Sequence, residues 1–313
     1  MITRRSFLKT SSLAALAPCV AHLNFISPFN NQLDSPLISL AQWSLKNSIR
    51  SGEILADNFP VIAKNEYNLN AVEYVARFYT NYLQNAKYWE DLKRRAESEG
   101  VKNLLIMVDD QGDLGNPKSS ERKKAVENHY PWVDVAKQIG CHSIRVNAFG
   151  DGAPEVVKNA LVDGMGGLCN YAGKEGINII IENHGLYSSQ PDFILDLIRQ
   201  VNSPFLGTLP DFGNWCTTAK WGSTQDGTCE TIFNPEEGVK RYMPYAKAVS
   251  AKSYSFDSNG DQPIIDYKAL LKVVKDAGYT GYIGIEYEGT GQSEPEGIRA
   301  TKALIEKIWT ELG

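Results

Sequence analysis

Beyond its first 25 residues the chain has no run of about 18 uninterrupted apolar residues, so no later segment reads as a membrane-spanning helix. It has no basic excess either. Lys and Arg number 32 against 37 Asp and Glu, a net charge of −5, and the two signs are interspersed. With no basic face to meet a phosphate backbone, nucleic acid is not an expected partner. No G-x-G-x-x-G follows the first apolar run and there is no Walker-type loop, so the phosphate cradles of dinucleotide and nucleotide sites are missing. Cysteine is scarce at 5 of 313 residues. Cys141 and Cys169 fall in apolar segments and read as buried, inert thiols. Cys216 and Cys229 share one Gly/Thr/Ser-rich loop, where an oxidising compartment would allow a disulfide, with two free thiols as the alternative.

What is present is a composition of 42% hydrophobic and 22% charged residues, enough to bury a core in one large domain. Residues 1–25 have a basic start, a short apolar stretch from Leu13 to Ala21 and small residues toward its end, the pattern of an export signal. Thr3-Arg4-Arg5-Ser6-Phe7-Leu8-Lys9 resembles the twin-arginine signal, which implies the twin-arginine export machinery as a partner and a periplasmic location. Leu16-Ala17-Pro18-Cys19 resembles a lipoprotein processing site, but the proline before Cys19 departs from that pattern, and a lipid anchor is the less favoured alternative. A polar linker over 26–36 follows.

From Leu37 onward, eight short apolar runs alternate with helix-period segments. The runs begin at Leu37, Leu69, Asn103, Ser143, Ile177, Leu206, Ala248 and Tyr282. Between them, Tyr88, Trp89, Leu92 and Ala96 recur at helical spacing before Gly100, a left-handed cap. Eight strands alternating with helices over about 270 residues fit a single α/β domain of the (β/α)8 TIM barrel type, residues 37–313. An open doubly wound sheet is the competing architecture.

Parity along the strands selects the candidate site. In Ile177–Glu182 the isoleucines at 177, 179 and 181 share one face, while Asn178, Ile180 and Glu182 share the other, which points into the barrel. Glu182, Asp211 of "LPDFGN" and Glu286 of "IGIEYEG" all stand at carboxyl ends of strands, where this fold places its chemistry. One such acid alone would be read as a helix cap or an ion pair. Three meeting at one rim repel one another unless a cation neutralises them. Oxygen-rich ligation suits Mn, Mg or Co, and Zn where imidazole is added.

The strand-end Glu182, the Asp211-Phe212-Gly213-Asn214 turn, a penultimate strand ending near Lys252 and the closing Ile285-Glu286-Tyr287-Glu288-Gly289 resemble the xylose isomerase-like superfamily, which holds sugar-phosphate isomerase/epimerase proteins. The resemblance runs from about residue 36 onward and is strongest over 176–289. It implies a metal held by Glu, Asp, His and Glu from the last four strands, with the two glutamates moving protons. Glu182, Asp211 and Glu286 occupy the first, second and fourth places. The third reads Val249-Ser250-Ala251-Lys252, so the imidazole is missing. Relatives that nick DNA use Asp-x-x-His where this chain has Asp211-x-x-Asn214, so their multi-zinc site is not assembled.

Ser250 and Lys252 lie two apart and should both face the barrel centre, where Lys252 could polarise a carbonyl or act as the compensating cation. His184, two beyond Glu182, could bind metal or a sugar hydroxyl, or serve only as a loop residue. Asn214, Trp215 and Tyr254 join His184 and Ser250 as candidate substrate contacts. Trp43, Tyr74, Phe149 and Tyr187 lie near strand ends, and Glu73 and Arg145 are weaker candidates for the same mouth. His142 is expected at the opposite end of a strand and His129, beside Pro131, in a loop. "DSNGDQ" reads as a turn, lacking the distal Glu of a calcium loop.

Together these features imply an exported barrel that epimerises or isomerises a carbohydrate or polyol by proton transfer next to a carbonyl. Glu182, Glu286 and Lys252 would be catalytic, with a divalent metal on Glu182, Asp211 and Glu286. Two alternatives remain open: a keto-glycoside lyase or hydrolase using the same acids, and a sugar-binding barrel without turnover.

Overall fold

The computed structural model describes residues 35–313, Asp226 excepted. The expected leader, Cys19 and most of the 26–36 linker therefore lie outside the described residues. Each apolar run forms one strand: β1 Leu37–Ala41, β2 Ala71–Val75, β3 Lys102–Met107, β4 Ser143–Val146, β5 Asn178–Glu182, β6 Leu206–Leu209, β7 Val249–Ser253 and β8 Tyr282–Tyr287. The helices are α1 Lys46–Arg50, α2 Phe59–Tyr67, α3 Ala86–Ser98, α4 Ser119–Ile139, α5 Pro154–Glu175, α6 Pro191–Val201, α7 Pro235–Tyr242, α8 Tyr267–Asp276 and α9 Glu294–Glu311.

Strands that all run parallel need a crossover of a dozen or more residues at every step, and the helices supply it. The sheet order is β6-β5-β4-β3-β2-β1-β8-β7 with every ladder parallel. At the remaining seam Lys247 N donates to Thr208 O at 3.0 Å, Ser250 N to Pro210 O at 3.0 Å and Phe212 N to Ser250 O at 3.0 Å, which closes the cylinder. Pro210 has no N–H to give, so the regular ladder of β6 stops at Leu209 and Asp211 begins a turn.

Alternation sorts the side chains as expected. Ile177, Ile179 and Ile181 pack outward in the large core shared with the helices, whereas Ile180 joins Ala41, Val75, Leu105, Met107, Leu209 and Ala248 inside the barrel. Helix α3 buries Trp89, Leu92 and Ala96 and ends before Gly100, which has φ +66°. The expectation for His129 is corrected. It lies buried in the middle of α4, its Nδ1 2.8 Å from Ala125 O, and the helix passes straight through Pro131. An interior proline costs about 3 kcal/mol, but Trp132, Val133, Val135 and Ala136, all buried just after it, hold the helix against the core. His142, by contrast, is at the amino end of β4, as expected.

Glu73 of β2 is 1% exposed inside the barrel, with Ser39 Oγ donating to Oε1 at 2.6 Å and no partner for Oε2. Gly284 lies against it: a Cβ there would come within 2.5 Å of Glu73 Oε1, so β8 carries glycine at that point. Burial pushes the Glu73 carboxyl up from 4.5 to about 8, with Ser39 working in the other direction. The folded state then holds a proton that the unfolded chain releases near pH 4.5, so stability falls as pH rises from about 4.5 toward 8. Glu73→Gln should remove that decline. Urea titrations at pH 5 and pH 8.5 should show the variant gaining on the wild type at the higher pH by a few kcal/mol, on the order of 1.4 kcal/mol per unit of displacement.

Candidate active site

The carboxyl ends of β4 to β8 bring charged side chains into two rows. In the first, Arg145 of β4 stands between Asp109, beyond β3, and Glu182 of β5. Its Nη1 is 2.5 Å from Asp109 Oδ1 and its Nε 2.9 Å from Glu182 Oε2. In the second, Lys252 of β7 stands between the two glutamates of β8 and its end, with Nζ 2.7 Å from Glu288 Oε1 and 3.5 Å from Glu286 Oε2.

Asp211 has no ion-pair partner among the described residues. Its Oδ1 accepts from Gly213 N and Asn214 N, both at 2.8 Å, and its Oδ2 from Ser250 Oγ at 2.5 Å. Asn183 holds this turn, accepting from Asp211 N at 2.7 Å and donating to Asp211 O and Asn214 O. That explains the asparagine after Glu182: it ties the end of β5 to the end of β6. Asn214 Nδ2 in turn donates to Glu182 Oε1 at 2.9 Å.

Oxygens of Glu182, Asp211 and Glu286 lie within 4.8 Å of one another, so the three acids singled out in the sequence do converge. Burial drives all three carboxyls upward, Asp211 to about 8, although Lys252 and, for Glu182 and Glu286, Arg145 pull the other way. Glu288 goes the opposite way. Burial alone would raise it, but Lys252 and Lys46 bring it down to about 2. His184 is pushed down to about 3 by burial and by Arg145, so its ring is neutral at pH 7. Its Nδ1 meets Asn147 Oδ1 at 2.7 Å, which assigns the ring proton to Nδ1 and leaves Nε2 as an acceptor.

Three clustered carboxylates whose protons are held so tightly lack positive charge, and an all-oxygen donor set is what hard divalent ions take. The residues present therefore fit such a cation. Ser250 does not replace the imidazole; its hydroxyl spans Asp211 Oδ2 and Glu286 Oε2, at 2.5 and 3.0 Å.

Above the cluster is a cleft of about 260 Å3, lined among others by Trp43, Trp221, His184, Asn214, Lys252 and Glu286. Three expected substrate contacts need correction. Ser250 is 1% exposed and serves the carboxylates rather than the cleft wall. Trp215 is 0% exposed and packs in the core against Tyr242, Phe233 and Gly238, because the chain turns inward after Asn214. Tyr254 stands off the wall, its hydroxyl 3.1 Å from Ser223 Oγ. Tyr74 is likewise buried in the outer core, and Tyr187 stacks on Phe193.

The wall residues that sequence reasoning missed include Glu288, Asp109 and Trp221; Asn147, also missed, orients His184 from behind it. Glu288 and Asn147 stand two beyond Glu286 and Arg145, so the same parity argument would have found them. Trp221 had no such signal. It lies in the loop after β6, where Cys216 and Cys229 form a disulfide with Cα atoms 5.8 Å apart. The loop is seated on the end of β5 by two glycines, since a Cβ on Gly222 would come within 2.4 Å of Gly185 N.

The chain belongs to the xylose isomerase-like TIM barrel family, whose model matches residues 63–308. Its fold resembles those of D-psicose 3-epimerase in the presence of D-fructose (TM-score 0.64, 13% identity, 87% of this chain and 99% of that one), of 3-keto-D-glucoside 4-epimerase from E. coli (0.62, 12%, 80% and 94%), and of a Mycobacterium smegmatis barrel in complex with magnesium (0.61, 14%, 89% and 97%). Among curated proteins, it is 47% identical over 47 residues to the 3'-dehydrocarminate deglycosidase alpha subunit of a Microbacterium species, 15% of this chain and 14% of that one. It is 23% identical over 189 residues to the C-glycoside deglycosidase alpha subunit of Microbacterium trichothecenolyticum, 41% of this chain and 51% of that one. The chain thus spans about half the length, or less, of these curated relatives.

The Arg145 row has a direct stability test. Arg145→Met would strand Asp109 and Glu182 without their cation, and losing one partner of a buried pair costs about 3–5 kcal/mol. Arg77→Met, which breaks the exposed pair with Asp110, should cost less than about 1 kcal/mol by the same denaturant measurement.

Proposed function

We propose that this barrel is an enzyme that moves a proton at the carbon next to the carbonyl of a keto-sugar, acting as a sugar epimerase or isomerase. The observation that carries the reading is the convergence of Glu182 and Glu286, both buried, with Glu286 lining a cleft of about 260 Å3. That volume lies just below the range of about 300–1,000 Å3 for sites of drug-sized ligands, which suits one sugar ring.

Inverting a carbon requires one group to take the proton and another to return it from the opposite face. Glu286 lines the cleft and takes the first role; Glu182, held in orientation by Arg145 and Asn214, takes the second. The Lys252 ammonium, 3.5 Å from Glu286, is placed to stabilise negative charge growing on the substrate oxygen. His184 Nε2 accepts a sugar hydroxyl, while Trp221 offers an apolar surface to the ring. A divalent cation held by Glu182, Asp211 and Glu286 would, when bound, supply Lewis-acid polarisation of the carbonyl. Export by the twin-arginine route is part of this reading, and the Cys216–Cys229 disulfide supports an oxidising compartment.

A second reading, cleavage of a keto-glycoside, is favoured by the local 47% identity to a deglycosidase subunit. It starts with the same proton abstraction by Glu286 and ends with departure of the group on the next carbon.

In D2O, the wild type should incorporate deuterium next to the carbonyl of at least one sugar in a keto-sugar panel. Glu286→Gln should lower that rate by about 10²–10⁴-fold without lowering the melting temperature. An unchanged rate would remove Glu286 from the chemistry, whereas release of an aglycone from a 3-keto-glucoside would select the second reading. Elemental analysis should find divalent metal in the purified protein, and a chelator should stop the exchange.

A further inference from the structure

Among the described residues, eight of the nine arginines have a carboxylate within ion-pair distance: Arg77, Arg94, Arg95, Arg122, Arg145, Arg199, Arg241 and Arg299. Arg50, at the end of α1, has none, and it lines the cleft. Its guanidinium lies 4.8 Å from the centroid of Trp43, and the same ring is approached by Lys46 at 5.6 Å and Arg77 at 5.8 Å. Cations close to one indole repel each other, and two of these three have a counter-charge in the protein. Lys46 has Glu288 at 3.8 Å and Arg77 has Asp110 at 2.7 Å. Among the described residues, no carboxylate lies within ion-pair distance of Arg50.

We propose that Arg50 receives a carboxylate on the substrate, so that the cleft selects acidic keto-sugars, uronic-acid-like in class. This rests on the reading of the cleft as a sugar site. A single unpaired guanidinium offers one planar fork and one net charge, which match the two oxygens and single charge of a carboxylate. Trp43 holds the fork in place from behind and its neighbours add long-range attraction. In the bound state the reacting carbon sits at Glu286 and the acidic substituent at the Arg50 end of the same cleft.

Isothermal titration of the folded full-length protein with D-glucuronate and with D-glucose reads this directly, and because the readout is equilibrium binding it is independent of whether proton exchange is observed. Glucuronate should bind about tenfold more tightly than glucose, the size of one charge-assisted fork. The preference should fall with added salt, vanish in Arg50→Gln and return in part in Arg50→Lys. Arg50 is exposed, so the variants fold, which melting curves verify. No binding of either sugar would overturn the reading of the cleft as a sugar site and the proposal with it, whereas equal affinity of the wild type for the two sugars, or a preference that survives in Arg50→Gln, would overturn the proposal alone. Tighter binding of glucose 6-phosphate than of glucuronate would overturn its assignment to a carboxylate.

Discussion

The mouth of this barrel is organised by the need to neutralise buried carboxylates. Glu182, Asp211 and Glu286 are almost wholly buried and Asp109 is largely so, and an unpaired charge at such places is expensive. Arg145 separates Asp109 from Glu182, and Lys252 separates Glu286 from Glu288. Each cation is thus shared by two acids, and the acids it does not fully satisfy face one another. Asp211 is the remainder. It is held by two backbone N–H groups and one hydroxyl, and it is the carboxyl that burial pushes to about 8. The deficit of positive charge is therefore local, which is what makes this point suited to an additional cation.

Ser250 shows how a short hydroxyl can serve a carboxylate cluster. A short hydroxyl at this place reaches two carboxylates and relieves part of their repulsion by donating between them. Lys252, two residues on in β7, adds a full charge on the same face of the strand. One strand thus contributes both a hydroxyl donor and an ammonium to the cluster. The electrostatics of the acid pair depend on both groups.

Much of this was legible in the sequence because strand parity is a strict rule. Glu182, Glu286 and Lys252 point inward for the same reason that Ile179 and Ile181 point outward. Asp211 was legible as a third acid at the carboxyl end of a strand, and Pro210 is the reason the ladder stops just before it. The rule fails where the backbone is no longer extended. Trp215 follows a turn that sends the chain back to the core, and Tyr254 leaves the rim just beyond the end of β7. His129 was misplaced for another reason, since the proline beside it suggested a loop while the apolar face of α4 carried the helix through. Trp221 and Arg50 belong to irregular or very short segments whose direction is set by tertiary contacts alone.

The loop bearing Trp221 leaves β6 and rejoins the chain ahead of α7, and the Cys216–Cys229 bridge ties its two limbs together. One wall of the cleft is in this way a closed ring attached to the barrel at its base. Such a ring can lengthen, shorten or exchange residues at its tip while the staves beneath keep their register. Divergence among relatives toward new substrates would then concentrate in this appendage, leaving the carboxylates below it as fixed hardware.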